Sequence, residues 1–375
     1  MKILPQLITI LGLCLSLALH WNSLVTKVDP TELAGQFNQS KYVLGGAGGD
    51  REISDEIVYM HAGNEYIKGV SPLQINFEHP PFFKYLFGLS QKYFGTPTIV
   101  IAISFIIWSI SFYLLVRIGI RHPVLQSLAL LVFFLNPLTH RFVTKPMLDV
   151  PLAMEMLLCL VLLQRLLNTA RARYAILIGI VAGLLFSTKY PIPISITFVG
   201  LITLFVLKKR ILFAVLISFF ALTTYLTTYL GAFSKDLTFI QYLQFERWRL
   251  SWFMGKTDSP KGYIFSTILF GKHPQWWADK QAFVSYDSYS IIWPIVFIGF
   301  LCNCVRLLHE RKLNIQALMH IQVAFSLAFL SLGASNDFYL IPLMPIFTLS
   351  TAQFTEYQFM KKGLLSTHKP VDRLP

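Results

Sequence analysis

What most constrains this chain is a succession of apolar runs, at 3–21, 97–117, 123–138, 149–167, 174–188, 191–207, 211–230, 289–307, 315–333 and 338–357. Crossing a bilayer takes roughly 20 residues of helix, and each run reads as a span. The runs do not alternate with period two, as barrel strands would. A backbone in lipid must satisfy its own polar groups, and a helix does so within one segment. The expected fold is therefore an all-α, multi-spanning membrane protein with about ten transmembrane helices, organised as a single domain over residues 1–375. Composition agrees, with 54% of residues hydrophobic and 14% charged, whereas soluble domains carry about 25% charged residues. The first run follows Lys2, but Leu17-Ala18-Leu19-His20 lacks the small-residue cleavage pattern of a signal peptide, so a retained helix is expected.

The formal net charge is +13, which in a soluble chain would point to nucleic acid. Here the cations gather in alternate short loops: Arg117 and Arg121; Arg165, Arg171 and Arg173; Lys208-Lys209-Arg210; Arg306, Arg311 and Lys312; Lys361-Lys362. With ten spans all of these fall on one side, the cytoplasmic side by the positive-inside rule. No nucleic-acid partner is expected. The extracytoplasmic face then receives the long loops 22–96 and 231–288, the short loop 139–148, the corner at 188–191 and residues 335–337. Cys14, Cys159, Cys302 and Cys304 lie in or beside apolar runs, so neither a disulfide framework nor a CxxC metal site is expected. No internal repeat and no soluble domain at either end are expected.

The first outer loop is polar where its surroundings are not. Its Gly45-Gly46-Ala47-Gly48-Gly49 run lacks the Lys-Ser/Thr of a phosphate loop and reads as a hinge. Residues 53–68 have helical spacing, with Ile57, Tyr59, Met60, Tyr66 and Ile67 as a partly apolar surface suited to a helix along the membrane, stopped at Gly69. Asp55 and Glu56 are adjacent, so on a helix they diverge by about a quarter turn or more and do not make a proton-sharing dyad. One of them can face a cavity while the other caps or orients. A solvated helix start accounts for them equally well. Asp149, in Lys145-Pro146-Met147-Leu148-Asp149-Val150-Pro151, stands at the outer mouth of a span and suits a cap as well as a functional carboxylate.

Four cations, Lys84, Arg141, Lys145 and Lys189, lie on the outer face against the positive-inside trend. Singly each can snorkel to lipid phosphates. Together with outward carboxylates they suit a site that binds an anionic headgroup and removes a proton. His79 precedes Pro80-Pro81, which fixes an extended turn. Glu78 and His79 could supply two metal ligands but find no second ligand pair at metal spacing, so no cofactor is expected and a divalent metal is possible but not required. Trp248, Trp252, Trp276 and Trp277 suit an interfacial aromatic belt, with stacking on sugar faces the alternative.

Taken together, Asp55-Glu56, Tyr59, Ala62, Gly69, Asn76-Phe77-Glu78-His79-Pro80-Pro81 and Lys84 resemble the first outer loop of the dolichyl-phosphate-mannose protein O-mannosyltransferases and their bacterial and archaeal relatives. Leu148-Asp149-Val150-Pro151, Thr188-Lys189-Tyr190 and Phe338-Tyr339-Leu340-Ile341-Pro342 resemble later motifs of the same family. The resemblance, which extends to the aminoarabinose transferase branch, runs through residues 50–190 and 335–345. It implies a GT-C glycosyltransferase fold, a polyprenyl-monophosphate-sugar donor and inverting transfer to an acceptor hydroxyl on the extracytoplasmic face. It further implies Asp55 as general base, with Glu56, Asp149 and His79 shaping the pocket. Arg141, Lys145 and Lys189 would hold the phosphate, and Lys84, Tyr190 and Tyr339 would complete the substrate site. Two departures bear on the acceptor, a protein one above all. No counterpart of the family's lumenal β-trefoil or C-terminal periplasmic domain is expected, and Phe82-Phe83 replace the commoner Leu-Gly.

The chemistry is consistent with this. Single displacement needs one base and a stabilised leaving group; cations can neutralise a lipid phosphate without a metal. A carboxylate at an apolar boundary holds protons more tightly, which suits a base near neutral pH. The alternative is a transporter or flippase of lipid-linked sugars. It predicts carboxylates buried at mid-membrane, whereas the conspicuous charges here are read at helix ends.

Overall fold

The structure is a computed structural model. It describes residues 3–43, 49, 51–189, 198–203, 205, 208–234, 237–255, 261–274, 283–310, 315–333 and 336–364. It is mainly helical, and every predicted apolar run carries helix; in the run 191–207 only residues 198–203 and 205 are described, and these are helical. Three helices are individually long and apolar enough to cross a membrane: Thr98–Gly119, Asp149–Thr169 and Ile292–Glu310. Leu4–Leu19, Pro123–Leu135, Ala172–Phe186, Ile211–Thr227 and Gln316–Ser331 are apolar but shorter. The last predicted run is divided into a 3-10 turn, Asp337–Leu340, and the helix Met344–Lys361. Pro342 and Pro345 sit at the junction, where each lacks the N–H that a continuous helix would use. A two-stranded antiparallel hairpin in the second long loop was not anticipated; it pairs Lys272 with Ser285, His273 with Val284 and Pro274 with Phe283.

The described residues form two compact units, one from 19–107 and 142–259, the other from 1–18, 108–141 and 260–375. The first contains the loop helices Pro30–Asn38, Asp55–Ile67 and Phe82–Phe94, together with the Asp149–Thr169, Ala172–Phe186 and Ile211–Thr227 helices. The Asp55 helix opens with two carboxylates, which its positive end favours, and gives way at Gly69, whose φ of +90° suits glycine. The Phe82 helix closes on Gly95, at φ +77°, whose N–H bonds the Gln91 carbonyl at 2.9 Å.

The sequence suggested that the Asp55 helix lies along the membrane. It is also enclosed between its neighbours: residues 58–64 and Tyr66 are all buried. Two glycines permit this. A Cβ on Gly63 would stand 2.8 Å from the Gly88 nitrogen and closer still to the Lys84 carbonyl, and one on Gly88 would run into the Gly63 carbonyl. The two backbones are therefore in direct contact. Gly179 and Gly183 play the same part four residues apart, receiving Phe220, Ala221 and Thr224 of the Ile211 helix.

The other unit holds the Pro123–Leu135, Ile292–Glu310, Ile315–Ser331 and Met344–Lys361 helices. Buried polar contacts join the last three: Asn303 donates to Ser350 at 2.9 Å, and the His320 Nε2 lies 2.7 Å from the same hydroxyl.

Candidate active site

The site is assembled from three stretches of the first unit. The Asp55 helix presents its first turn, where Asp55 and Glu56 are both partly exposed. The Tyr59 hydroxyl, one turn on, donates to Asp55 Oδ2 at 3.4 Å. Tyr42 lies within electrostatic reach of Asp55, Glu78 and Glu52; burial first, and then those carboxylates, push its phenol up to about 12. Glu56 pairs with Lys145 at 3.1 Å, and the two side chains remain 18% and 40% exposed, so water and ligand have access.

Four residues after Lys145 comes Asp149, the first residue of its helix. It is 1% exposed and accepts from Lys189 Nζ at 2.7 Å, with Lys189 itself 11% exposed. Segment 145–149 thus reaches Glu56 at one end and Lys189 at the other. The turn that carries Lys189 is tied to the proline motif as well, because the Phe82 N–H donates to the Ser187 carbonyl at 3.1 Å. Six residues into the same helix is Glu155, 1% exposed, with Thr188 as its polar neighbour. A carboxyl so placed belongs inside the apolar span rather than at its end.

The turn between Asn76 and His79 is held from both sides. Lys84 is fully buried, and its ammonium donates to the Asn76 carbonyl (3.1 Å), Asn76 Oδ1 (2.5 Å) and the His79 carbonyl (2.6 Å). Burial draws its proton affinity well below the ordinary lysine value; Arg249 adds to this, while Glu78 and Asp55 oppose it. Lys84 was expected to contact substrate, and here it directs all three ammonium hydrogens at the protein. On the other side, Arg249 donates to the Phe77 carbonyl at 3.5 Å, and the Phe77 ring meets Trp248 at 5.0 Å and Trp252 at 5.2 Å. The His79 ring stands edge-on to Tyr59, 5.9 Å between centroids.

Arg141 and Tyr339 belong to the other unit. Arg141 pairs with Asp337 at 3.3 Å, and Asp337 also accepts from Ser288 at 2.5 Å. Tyr339 packs edge-on against Phe338 in the 3-10 turn. Tyr190, residues 45–48 of the glycine run, Trp276 and Trp277 lie outside the described residues. Among the described residues no group of three or more His, Cys, Asp or Glu side chains could hold a metal ion.

Sequence reasoning overlooked Tyr42, Glu155, Arg249 and Asp337. Glu155 alone carried a legible signal, a lone carboxylate in an apolar run. The other three acquire their significance from neighbours far along the chain.

Neither the family models nor the curated proteins compared with the chain give a match. Among solved structures, ArnT from Cupriavidus metallidurans bound to undecaprenyl phosphate is similar over 94% of this chain and 62% of its own, with a TM-score of 0.58 and 14% identity. The apo state of the same protein is similar over 92% and 59%, with a TM-score of 0.55 and 15% identity. The chain spans about three fifths of the length of these structures. At this identity the likeness establishes the fold: this is an integral membrane protein of the GT-C architecture.

Proposed function

We propose that the chain is a membrane glycosyltransferase that moves a sugar from a polyprenyl-monophosphate donor to an acceptor hydroxyl on the extracytoplasmic face. The carrying observation is segment 145–149, which links two carboxylate–cation pairs, Glu56 with Lys145 at 3.1 Å and Asp149 with Lys189 at 2.7 Å. Carboxylates suited to deprotonation and ammonium groups suited to phosphate are thereby gathered in one unit beside Asp55. The undecaprenyl phosphate bound to the structural neighbour supports a lipid phosphate as the carrier.

In the proposed step Asp55 takes the acceptor proton. The acceptor oxygen forms its bond to the anomeric carbon as the carbon–phosphate-oxygen bond breaks. The electron pair leaves on the lipid phosphate, whose charge Lys145 and Lys189 hold, and the centre inverts. Glu56, Asp149 and His79 shape the pocket, and Lys84 supports it by fixing the Asn76–His79 turn. Arg141, Tyr190 and Tyr339 are assigned to the substrate site by resemblance alone. The acceptor is a hydroxyl of a protein, lipid or glycan, the sugar a hexosyl group, and the step as written requires neither metal nor cofactor.

Purified protein incubated with radiolabelled polyprenyl-phosphate sugars and candidate acceptors should release lipid phosphate. Asp55→Asn should abolish release while donor binding persists; an active Asp55→Asn protein would exclude Asp55 as the base. One observation favours the alternative of a lipid-linked-sugar transporter. Glu155 is buried within an apolar helix, where the sequence had suggested charges only at helix ends. That reading predicts movement of labelled lipid-linked sugar between leaflets with no release of lipid phosphate.

A further inference from the structure

The helix Phe239–Gly255 has two dissimilar long sides. One is polar and engaged: Tyr242 and Arg249 are 2% and 1% exposed. Tyr242 bonds the Tyr225 hydroxyl at 2.9 Å, and Arg249 bonds the Tyr229 hydroxyl at 3.0 Å and Glu246 at 2.5 Å. The other side is apolar and open: Phe239, Ile240, Leu243 and Leu250 are 53%, 67%, 50% and 37% exposed. With Arg247 they recur at i, i+1, i+4, i+8 and i+11, which is a single helical stripe.

We infer that this helix lies in the membrane–water boundary, with its stripe in the lipid and Arg247 at the headgroup phosphates. Three features select a bilayer as the occupant. The helix is fastened to Tyr225 and Tyr229 at the end of the apolar Ile211–Thr227 helix, whose own outward stripe of Leu212, Val215, Phe219 and Leu222 is 56 to 63% exposed. The helix is thus anchored at the end of a span that itself carries an open apolar stripe. A cation set among apolar side chains is the pattern of an interfacial helix. Trp248, 48% exposed, adds an amphipathic ring of the kind enriched at that depth. The inference does not depend on the proposed sugar transfer.

The consequence concerns the turn at Phe77. The side opposite the stripe carries Arg249 and Trp252, which with Trp248 grip Phe77. A helix seated on the bilayer thus holds the Asn76–His79 segment at a set height above the membrane, and the bilayer becomes part of the scaffold.

The test places a fluorescent amino acid at Ile240, Leu243 or Gln241 in the full chain, reconstituted in vesicles with brominated or plain acyl chains. Gln241 is exposed and lies off the stripe. Bromolipid should quench Ile240 and Leu243 several-fold more than Gln241, and aqueous iodide should show the reverse order. Equal iodide access at all three positions would overturn the inference. So would protection of Ile240 and Leu243 from both quenchers together with a dimeric mass, which would mean that a second copy covers the stripe.

Discussion

Asp149→Asn should tighten the binding of polyprenyl phosphate even as it weakens the fold. Lys189 is paired with Asp149 at 2.7 Å and is nearly out of water. A charge pair at that distance is worth about 6 kcal/mol of gross attraction at an effective dielectric of about 20, most of it offset by desolvation. A donor phosphate must draw the ammonium away from the carboxylate or share it. Removing the carboxylate's charge lifts that competition. Recovery of about 1 to 2 kcal/mol of the pair corresponds to roughly 5- to 30-fold tighter binding of the lipid phosphate. Lys189→Met should act in the opposite direction, losing a charge-assisted contact worth about 1.5 to 3 kcal/mol, or roughly 10- to 150-fold in affinity. Both variants break a buried pair and should unfold more readily; Asp149→Leu combined with Lys189→Met should recover part of the loss. The assay is equilibrium binding of labelled polyprenyl phosphate to protein in nanodiscs, with thermal unfolding in parallel. Affinities that fall together in both single variants would refute the idea that the phosphate and Asp149 compete for one ammonium.

Gly63→Ala or Gly88→Ala should part the two loop helices, because each Cβ meets backbone; overpacking of this kind costs about 1 to 3 kcal/mol, read as a lower unfolding temperature, while Gly35→Ala, in open space, should have little effect. Lys84→Met should leave three carbonyl acceptors without their donor at about 1 to 3 kcal/mol each when buried, read as faster hydrogen exchange at 76–79 with donor affinity altered less than by Lys189→Met. The His61 imidazole stacks on Phe37 at 4.3 Å, and burial lowers its proton affinity, Lys68 assisting and Glu65 opposing. Its folded-state value is thus below the unfolded one, so the unfolded chain binds more protons, and stability should be lost as pH falls below about 6.5. His61→Phe should flatten that dependence in unfolding curves taken from pH 7 to 5.

How far the sequence reaches differs between the fold and the site. Long apolar runs separated by short basic loops leave few structural options in lipid, because helices alone satisfy their backbone locally. The helical membrane architecture was therefore legible from residue order, as was the stop at Gly69, whose positive φ suits a residue without a Cβ. These are near-neighbour effects. The enclosure of the Asp55 helix was not legible, because it depends on Gly63 meeting Gly88 across a helix crossing. The engagement of Lys84 was hidden for a similar reason: a lysine on an outer loop reads as reaching for lipid phosphate or substrate until its acceptors at Asn76 and His79 are seen to fold back over it. Pairing of Glu56 with Lys145 and of Asp149 with Lys189, and the grip of Arg249 on Phe77, arise only when distant segments pack. Electrostatic partnership depends on distance in space and on exclusion of water, and the tertiary structure alone determines both.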